Sequence, residues 1–403
     1  MASSLISVLT VTTPESDTPP RPITDGEHGG LLQAVSLVPD PRNPRGVRYP
    51  LAALLTVAVC AVLAGATSFA AITDWLYDLD EQAQVRLGFT RGVPAGTTVW
   101  RLLIRLDAAL VTAVLAGWLR TRAQPVAAQP RRYRTVIAVD GKTLRGARLP
   151  GGRQVHLLSA LDTSTGIVLA QVTVDAKSNE IPAFTPLLDA IEEVLGGLAG
   201  VLFLADALHT QTSHAQQITA RGAHLLLQAK GNQPTLHTQL KALPWAQIPA
   251  GNRTREQGHG RKETRTVKAV TLHTPGGIAF PHAQQAVRIT RTRTIDGKTS
   301  RETAYLITSL HATDAQPADL QKWARAEWLI ENQVHNVRDV TFREDHHQAR
   351  TGTGPAVMAT LRNTAIGWHR INGETNIARA NRRADRRSDD LIQAVTSSYP
   401  NTQ

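Results

Sequence analysis

The chain has 403 residues, 44 Lys and Arg against 33 Asp and Glu, and a formal charge of +11. That length supports two or three domains around large buried cores, and a single cysteine, Cys60, excludes an internal disulfide framework. The positive excess makes a polyanion the first partner to consider, nucleic acid or an anionic membrane surface, with a merely soluble basic protein as the plainer alternative.

Residues 1–30 are rich in Ser, Thr, Pro and Gly and lack a basic segment followed by a sustained apolar run. Residues 1–34 are therefore expected to form a disordered leader rather than a secretory signal. Residues 51–72, LAALLTVAVCAVLAGATSFAAI, carry no charge and follow Arg42, Arg45 and Arg48, which gives them the length and flank of a membrane span. Eight of these 22 residues are alanine, which gains little from lipid, and Gly65-Ala66-Thr67-Ser68 reads as one helix ending and another being capped. Two core helices of a soluble unit, at about 50–64 and 69–80, are the expectation, with Cys60 a small buried hydrophobe. A third helix begins after Thr97-Thr98 and runs through VWRLLIRLDAALVTAVLAGWLRTR, with Arg101 and Arg105 off its apolar stripe. Residues 35–123 thus form an all-helical domain, and a linker centred on PVAAQP covers 124–133.

The tetrapeptide DGKT occurs twice, at Asp140–Thr143 and Asp296–Thr299. Before Asp140 the run Thr135–Val139 is continuously apolar, the pattern of a central strand covered on both faces. A carboxylate there is costly unless something pairs with it. Around Asp296 both flanks are polar and β-prone, so Asp296-Gly297 is expected to be a hairpin turn. A phosphate-binding loop at the first copy is excluded because position 136 is valine where the motif requires glycine. Strands are expected at 153–163 and 166–176, then a capped helix in SNEIPAFTPLLDAIEEV. Next come a strand ending in the lone carboxylate Asp206, a helix at 212–221, and a strand ending at Lys230. Three strands followed by strand–helix–strand give a mixed sheet flanked by helices, with Asp140 and Asp206 emerging close together.

Residues 321–340 carry two stripes at helical spacing: Ile330, Val334 and Val337 for a core, and Glu331, His335 and Asp339 beside them. An ordinary solvated face is the alternative reading of the second stripe. A zinc site lacks both HExxH and paired cysteine spacing.

IAVDGKTLRGA, VDAKSNEI, FLADALH, QAKGNQ, HGRKETR and IENQVHNVRDVTFRED, in this order, resemble the insertion-sequence transposases of the ISAs type in the DDE superfamily. The segment DPRNPRGVRYPLAALLTVAVCAVLAGATSFAAI resembles that family's helical N-terminal region, which sets the membrane reading aside. The resemblance spans about residues 35–370. It implies an RNase H-like α/β catalytic domain over 134–370, with the helical domain before it binding DNA. It further implies a β-rich insertion at about 245–310 and a catalytic, metal-binding triad at Asp140, Asp206 and Glu331. Departures from the family pattern stand at Asn336, Arg338 and Glu327, where tryptophan, leucine and histidine are usual.

Three converging carboxylates repel one another, and divalent cations resolve that conflict, so Mg²⁺ is the expected cofactor, with Mn²⁺ as a substitute. Lys142, Arg145, Lys230, Arg261, Arg265, His335, Arg101 and Arg105 are the expected DNA contacts, each with a solvated surface charge as its alternative. The Arg-rich segment 369–389 begins a basic, mobile tail over 371–403. The implied function is a cytoplasmic DNA transposase that cuts element ends and joins them to target DNA, acting as a homodimer on DNA. A non-catalytic DNA-binding protein that keeps the fold, or a stand-alone RNase H-like nuclease, are the other classes the residues allow.

Overall fold

The computed structural model describes residues 30–123, 135–149, 151–175, 178–258, 260–272 and 278–397. Most of the expected leader, 1–29, and the whole of the expected linker lie outside the described residues. The last part of that leader is not irregular: α1 is Leu31–Val35, with Leu31 and Val35 buried.

The apolar run forms α2, Leu51–Leu63, and α3, Phe69–Asp78. Twelve of the thirteen residues of α2 are buried, so its apolar surface faces protein on every side. The break falls at Gly65, with φ +103°, and the Ser68 hydroxyl accepts the Ala71 amide at 3.1 Å. Burial pushes the Cys60 thiol up to about 12, which keeps it protonated. After α4, Glu81–Arg86, the expected third helix divides into α5, Gly96–Leu103, and α6, Ala108–Arg122, bent by 97°. The cause is Asp107, whose carboxylate accepts the amides of Ala109 and Leu110 and starts a new helix. Among the described residues no single helix is long and apolar enough to cross a membrane.

Among the described residues the sheet has nine strands, numbered β1 to β9 along the chain with the ranges given below, in the order β3-β2-β1-β4-β5-β9-β8-β7-β6. β1 (Val136–Arg148), β2 (Gln154–Asp162) and β3 (Ile167–Thr173) form an antiparallel meander. β4 (Leu202–Ala205) and β5 (His224–Ala229) add in parallel beside β1, each reached through a helix: α7, Phe184–Leu195, and α8, Thr212–Ala220. An antiparallel meander continued by parallel strands is the RNase H-like arrangement, a mixed α/β sheet flanked by helices.

α9 is Pro234–Ala242, and beyond it the β-rich insertion consists of β6 (Asn252–Gly258), β7 (Arg261–Thr271), β8 (Gln285–Ile295) and β9 (Lys298–Thr308). It extends the same sheet, because β9 pairs antiparallel with β5. The second DGKT makes the β8–β9 turn, with Ile295 opposite Lys298 and φ +50° and +76° at Asp296 and Gly297. Two consecutive positive φ values are the requirement of a two-residue type I′ hairpin.

α10 is Pro317–Ala326, and the expected helix over 321–340 is not continuous. A π-helical turn, Glu331–His335, precedes α11, Asn336–Val340. α12, Gly354–Ile371, then lies between the helical unit and the sheet with sixteen of its 18 residues buried. Trp368 stacks on Trp118 of α6 with ring centroids 5.0 Å apart. The expected mobile tail is instead ordered through residue 397 as α13, Ile377–Asp385, and α14, Ser388–Thr396. Ile377, Ala380, Leu391, Ile392 and Val395 join the core, and the buried Arg122 guanidinium donates to the carbonyls of Ala394 and Ser397. Those apolar residues sit at helical spacing among the arginines, and their burial outweighs the charge repulsion.

Candidate metal centre and basic cleft

Asp140 lies in β1 opposite Ser159 of β2. It is on the same sheet face as Ala138, which packs with Leu161, Val168, Ile330 and Val334. Ile330 and Val334 therefore clamp the 329–340 segment across this face, and Val337 is only partly buried. The π turn inserts one extra residue per turn and re-aims the side chains beyond it, a feature frequent at functional sites. His335, 2% exposed, places Nδ1 3.1 Å from Glu331 Oε2 and 3.4 Å from Asp140 Oδ2. Ligand atoms of Asp140, Glu331 and His335 all lie within 4.8 Å of one another, a set that could hold a metal ion. His335, expected as a DNA contact, is buried against these two carboxylates.

The hydrogen bond from His335, against the opposing effect of burial, holds the Glu331 carboxyl below the usual range, and Lys142 adds to the same direction. Asp206 stands outside the close set. It caps the 3-10 turn Ala207–His209, its Oδ1 accepting the Leu208 amide at 2.8 Å. It is nevertheless next to the site, since Val139 and Ala205, the residues before the two aspartates, are parallel register partners. Glu327, which the sequence flagged only as a departure, is the residue sequence reasoning missed. Burial and the charges of Asp140 and Asp206 push its carboxyl up to about 7, against the pull of Lys230. Its position four residues before Glu331 was the available signal.

The other residues divide sharply. Lys142 is 9% exposed and its Nζ is 2.6 Å from Asp339 Oδ2, an internal ion pair. That pairing keeps Asp339 on the same side as His335, since Lys142 lies two residues beyond Asp140 on one face of β1. Arg145 is 76% exposed, 3.5 Å from Asp345. Arg101 and Arg105 are exposed on the helical unit, and Arg105 donates to the Pro41 carbonyl at 3.1 Å.

A cleft of about 1660 Å³ opens beside the carboxylates, between α10 and the β4–β5–β9–β8–β7 face, and Ala205 and Glu327 line it. Lys230, Arg261, Arg265, Arg291, Arg293 and Arg325 also line it. Most of these are internally balanced: Arg265 and Arg293 share the buried Glu263, Arg291 pairs with Glu302, and Arg325 with Glu256. Lys230 and Arg261 are exposed and take part in no ion pair among the described residues.

Glu344, the glutamate of the FRED motif at 342–345, is unavailable to a cation. Arg338 and Arg362 each hold one of its oxygens, at 2.8 and 2.7 Å, and all three side chains are at most 2% exposed. Burial alone would raise the Glu344 carboxyl, but the two guanidiniums outweigh it and hold it at about 2.

Residues 132–368 match a family model described as a transposase DDE domain, and residues 32–119 match one described as associated with it. The chain is 29% identical over 347 residues to the putative transposase YncI of Escherichia coli O157:H7, covering 83% of this chain and 86% of that one. It is 26% identical over 352 residues to the H repeat-associated putative transposase YhhI of Escherichia coli K12, covering 83% and 89%. A piggyBac transposase synaptic complex with hairpin DNA aligns over 93% of this chain and 83% of its own, at 10% identity and a TM-score of 0.39.

Proposed function

The chain belongs to the transposase DDE domain family, and on that premise we propose that it is a cytoplasmic, Mg²⁺-dependent transposase that cuts insertion-sequence ends and transfers them to target DNA. The observation that carries this reading is the convergence of Asp140, Glu331 and His335, with Asp206 adjacent, beside a basic cleft.

The donor set fits a divalent cation of the Mg²⁺ kind, because carboxylate oxygens dominate it. Asp140, Glu331 and Asp206 would hold it, with His335 at its edge. Mg²⁺ there would neutralise phosphodiester charge and favour ionisation of an attacking hydroxyl. The residues of this chain do the rest. The Nδ1–H of His335 orients Glu331 by donating to it and lies against Asp140, and Lys230 and Arg261 hold phosphate oxygens at the cleft. In the first step a water oxygen attacks phosphorus and the 3′-oxygen leaves, taking a proton to become a 3′-OH. In the second, that 3′-OH attacks a target phosphodiester and displaces the target's own 3′-oxygen. Neither step needs an enzyme nucleophile, in keeping with the buried, protonated Cys60. A homodimer would bring two element ends together.

The test is incubation of the full chain with a duplex carrying its element end, Mg²⁺ and a supercoiled target. Cleavage with joined products supports the proposal. Cleavage without joining indicates a nuclease, and binding without cleavage a non-catalytic DNA-binding protein.

A further inference from the structure

The register pairs that tie β1 to β4 run from Val136–Leu202 to Val139–Ala205 and stop there, one residue short of Asp140 and Asp206. Asp140 continues along β1, whereas Asp206 turns out of the sheet into the 3-10 turn that ends at His209. The aspartates thus sit where strand pairing no longer sets their separation.

On the opposite sheet face a second linkage takes over. The two oxygens of Glu180 go to different elements. His156 Nε2, in β2, donates to Oε1 at 2.8 Å, and His209 Nε2, at the end of the Asp206 turn, donates to Oε2 at 3.1 Å. His156 is in turn fixed to β1, since its Nδ1 lies 2.8 Å from the Thr143 hydroxyl and Thr143 is its register partner. His209 is 1% exposed and packs on Phe184 with ring centroids 5.3 Å apart. Gly141, directly after Asp140, is what admits the carboxylate: a β-carbon there would overlap Glu180 Oε1 and lie 2.7 Å from His156 Nε2. None of these groups touches the close set at Asp140, Glu331 and His335, so the metal-site reading leaves the arrangement unexplained.

We propose that Glu180 is a positioning residue, a carboxylate strut from β2 to the Asp206 turn that sets the spacing of Asp140 and Asp206. This rests on the reading that those aspartates hold a divalent cation. Its two hydrogen bonds bridge elements that the sheet leaves uncoupled, and the glycine beside Asp140 keeps the space open. Partners of this indirect kind are typically worth about 10–100-fold in metal affinity.

The experiment titrates Mn²⁺ alone into the full chain by calorimetry, with a thermal melt for each variant. Glu180→Gln keeps the volume but cannot accept from both imidazoles in their present state, and Gly141→Ala drives the strut away while leaving it chemically intact. Each should weaken Mn²⁺ binding by about tenfold or more in protein that is folded at the assay temperature. Glu180→Ala combined with Gly141→Ala should bind no worse than Glu180→Ala alone, because the nearest clash, with the Glu180 carboxylate, is gone and the His156 ring, released from Glu180, can shift into the space it leaves. Variants that melt lower yet bind Mn²⁺ as the parent does would overturn the positioning role and leave only a structural one. A parent that binds no Mn²⁺ would instead sink the metal-site reading itself, and the strut proposal with it.

Discussion

The Nδ1 of His335 lies 3.4 Å from Oδ2 of Asp140, joining a helical turn to a strand residue 195 positions earlier in the chain. The imidazole is buried between two acids from different elements, hydrogen-bonded to Glu331 and in close contact with Asp140. This contact makes the two copies of DGKT inequivalent. Asp140→Ala is expected to abolish Mg²⁺-dependent cleavage of an end-bearing duplex, while Asp296→Ala at the hairpin tip retains most of it. Parallel cleavage assays on the two folded proteins check this, and equal losses would remove the distinction.

The 329–340 segment has one face on the sheet and one on the site. Glu331→Gln should keep the melting temperature and lose most cleavage, since charge neutralisation and positioning dominate phosphoryl transfer. Val334→Asp buries a charge among Ala138, Leu161 and Val168 and should destabilise the fold by at least about 3 kcal/mol. Thermal unfolding and cleavage, measured on both variants, must separate in this way for the orientation to stand.

Lys230 and Arg261 are exposed cleft cations without an internal ion-pair partner among the described residues. Reversing either charge should weaken end-DNA binding and shallow its salt dependence by about 0.9 in log K per log salt for each phosphate no longer neutralised. Reversal of Arg265, which pairs with Glu263, should cost stability as well. Fluorescence anisotropy between about 50 and 200 mM salt reads the slope, and unchanged slopes would count against the cleft as the DNA path.

Acid should destabilise the protein in two windows. Burial lowers His214 and His347 from an ordinary 6.5 to about 4. The unfolded chain therefore binds those protons first, and the stability present above pH 6.5 is lost as pH falls towards 4, by up to about 3 kcal/mol per imidazole. Glu180 and Glu344 are held at about 2 against an ordinary 4.5, so their contribution is lost only as pH falls from 4.5 towards 2. Urea midpoints across this range report both windows, and His214→Gln should make the upper one shallower, leaving the part due to His347.

The buried Arg338–Glu344–Arg362 group gives a further expectation. Glu344→Gln leaves two guanidiniums without their counter-charge and should destabilise the fold by about 3–5 kcal/mol. A chemical-denaturation series against the parent measures it; a loss below about 1 kcal/mol would mean the arginines find water instead.

The sequence by itself determined the elements whose pattern is local. The continuous apolar run into Asp140 marks a central strand, and Asp296-Gly297 between polar β-segments makes a turn, because strand burial and turn dihedrals depend on neighbouring residues alone. The all-round apolarity of 51–63 likewise announced a buried helix. Tertiary structure decided what depends on who lies opposite. Arg338, Arg362, His369 and Arg122 look like surface residues until the acids and carbonyls that surround them are known. The tail reads as a solvated basic segment until the core offers its apolar side a place to pack. The π turn could not be foreseen, since its extra residue is stabilised by where Ile330 and Val334 must land on the sheet. The fold then places His335 in the close set with Asp140 and Glu331, and Asp339 against Lys142. Glu180 was visible only as a letter in a motif, because its role comes from two histidines that folding alone brings within reach.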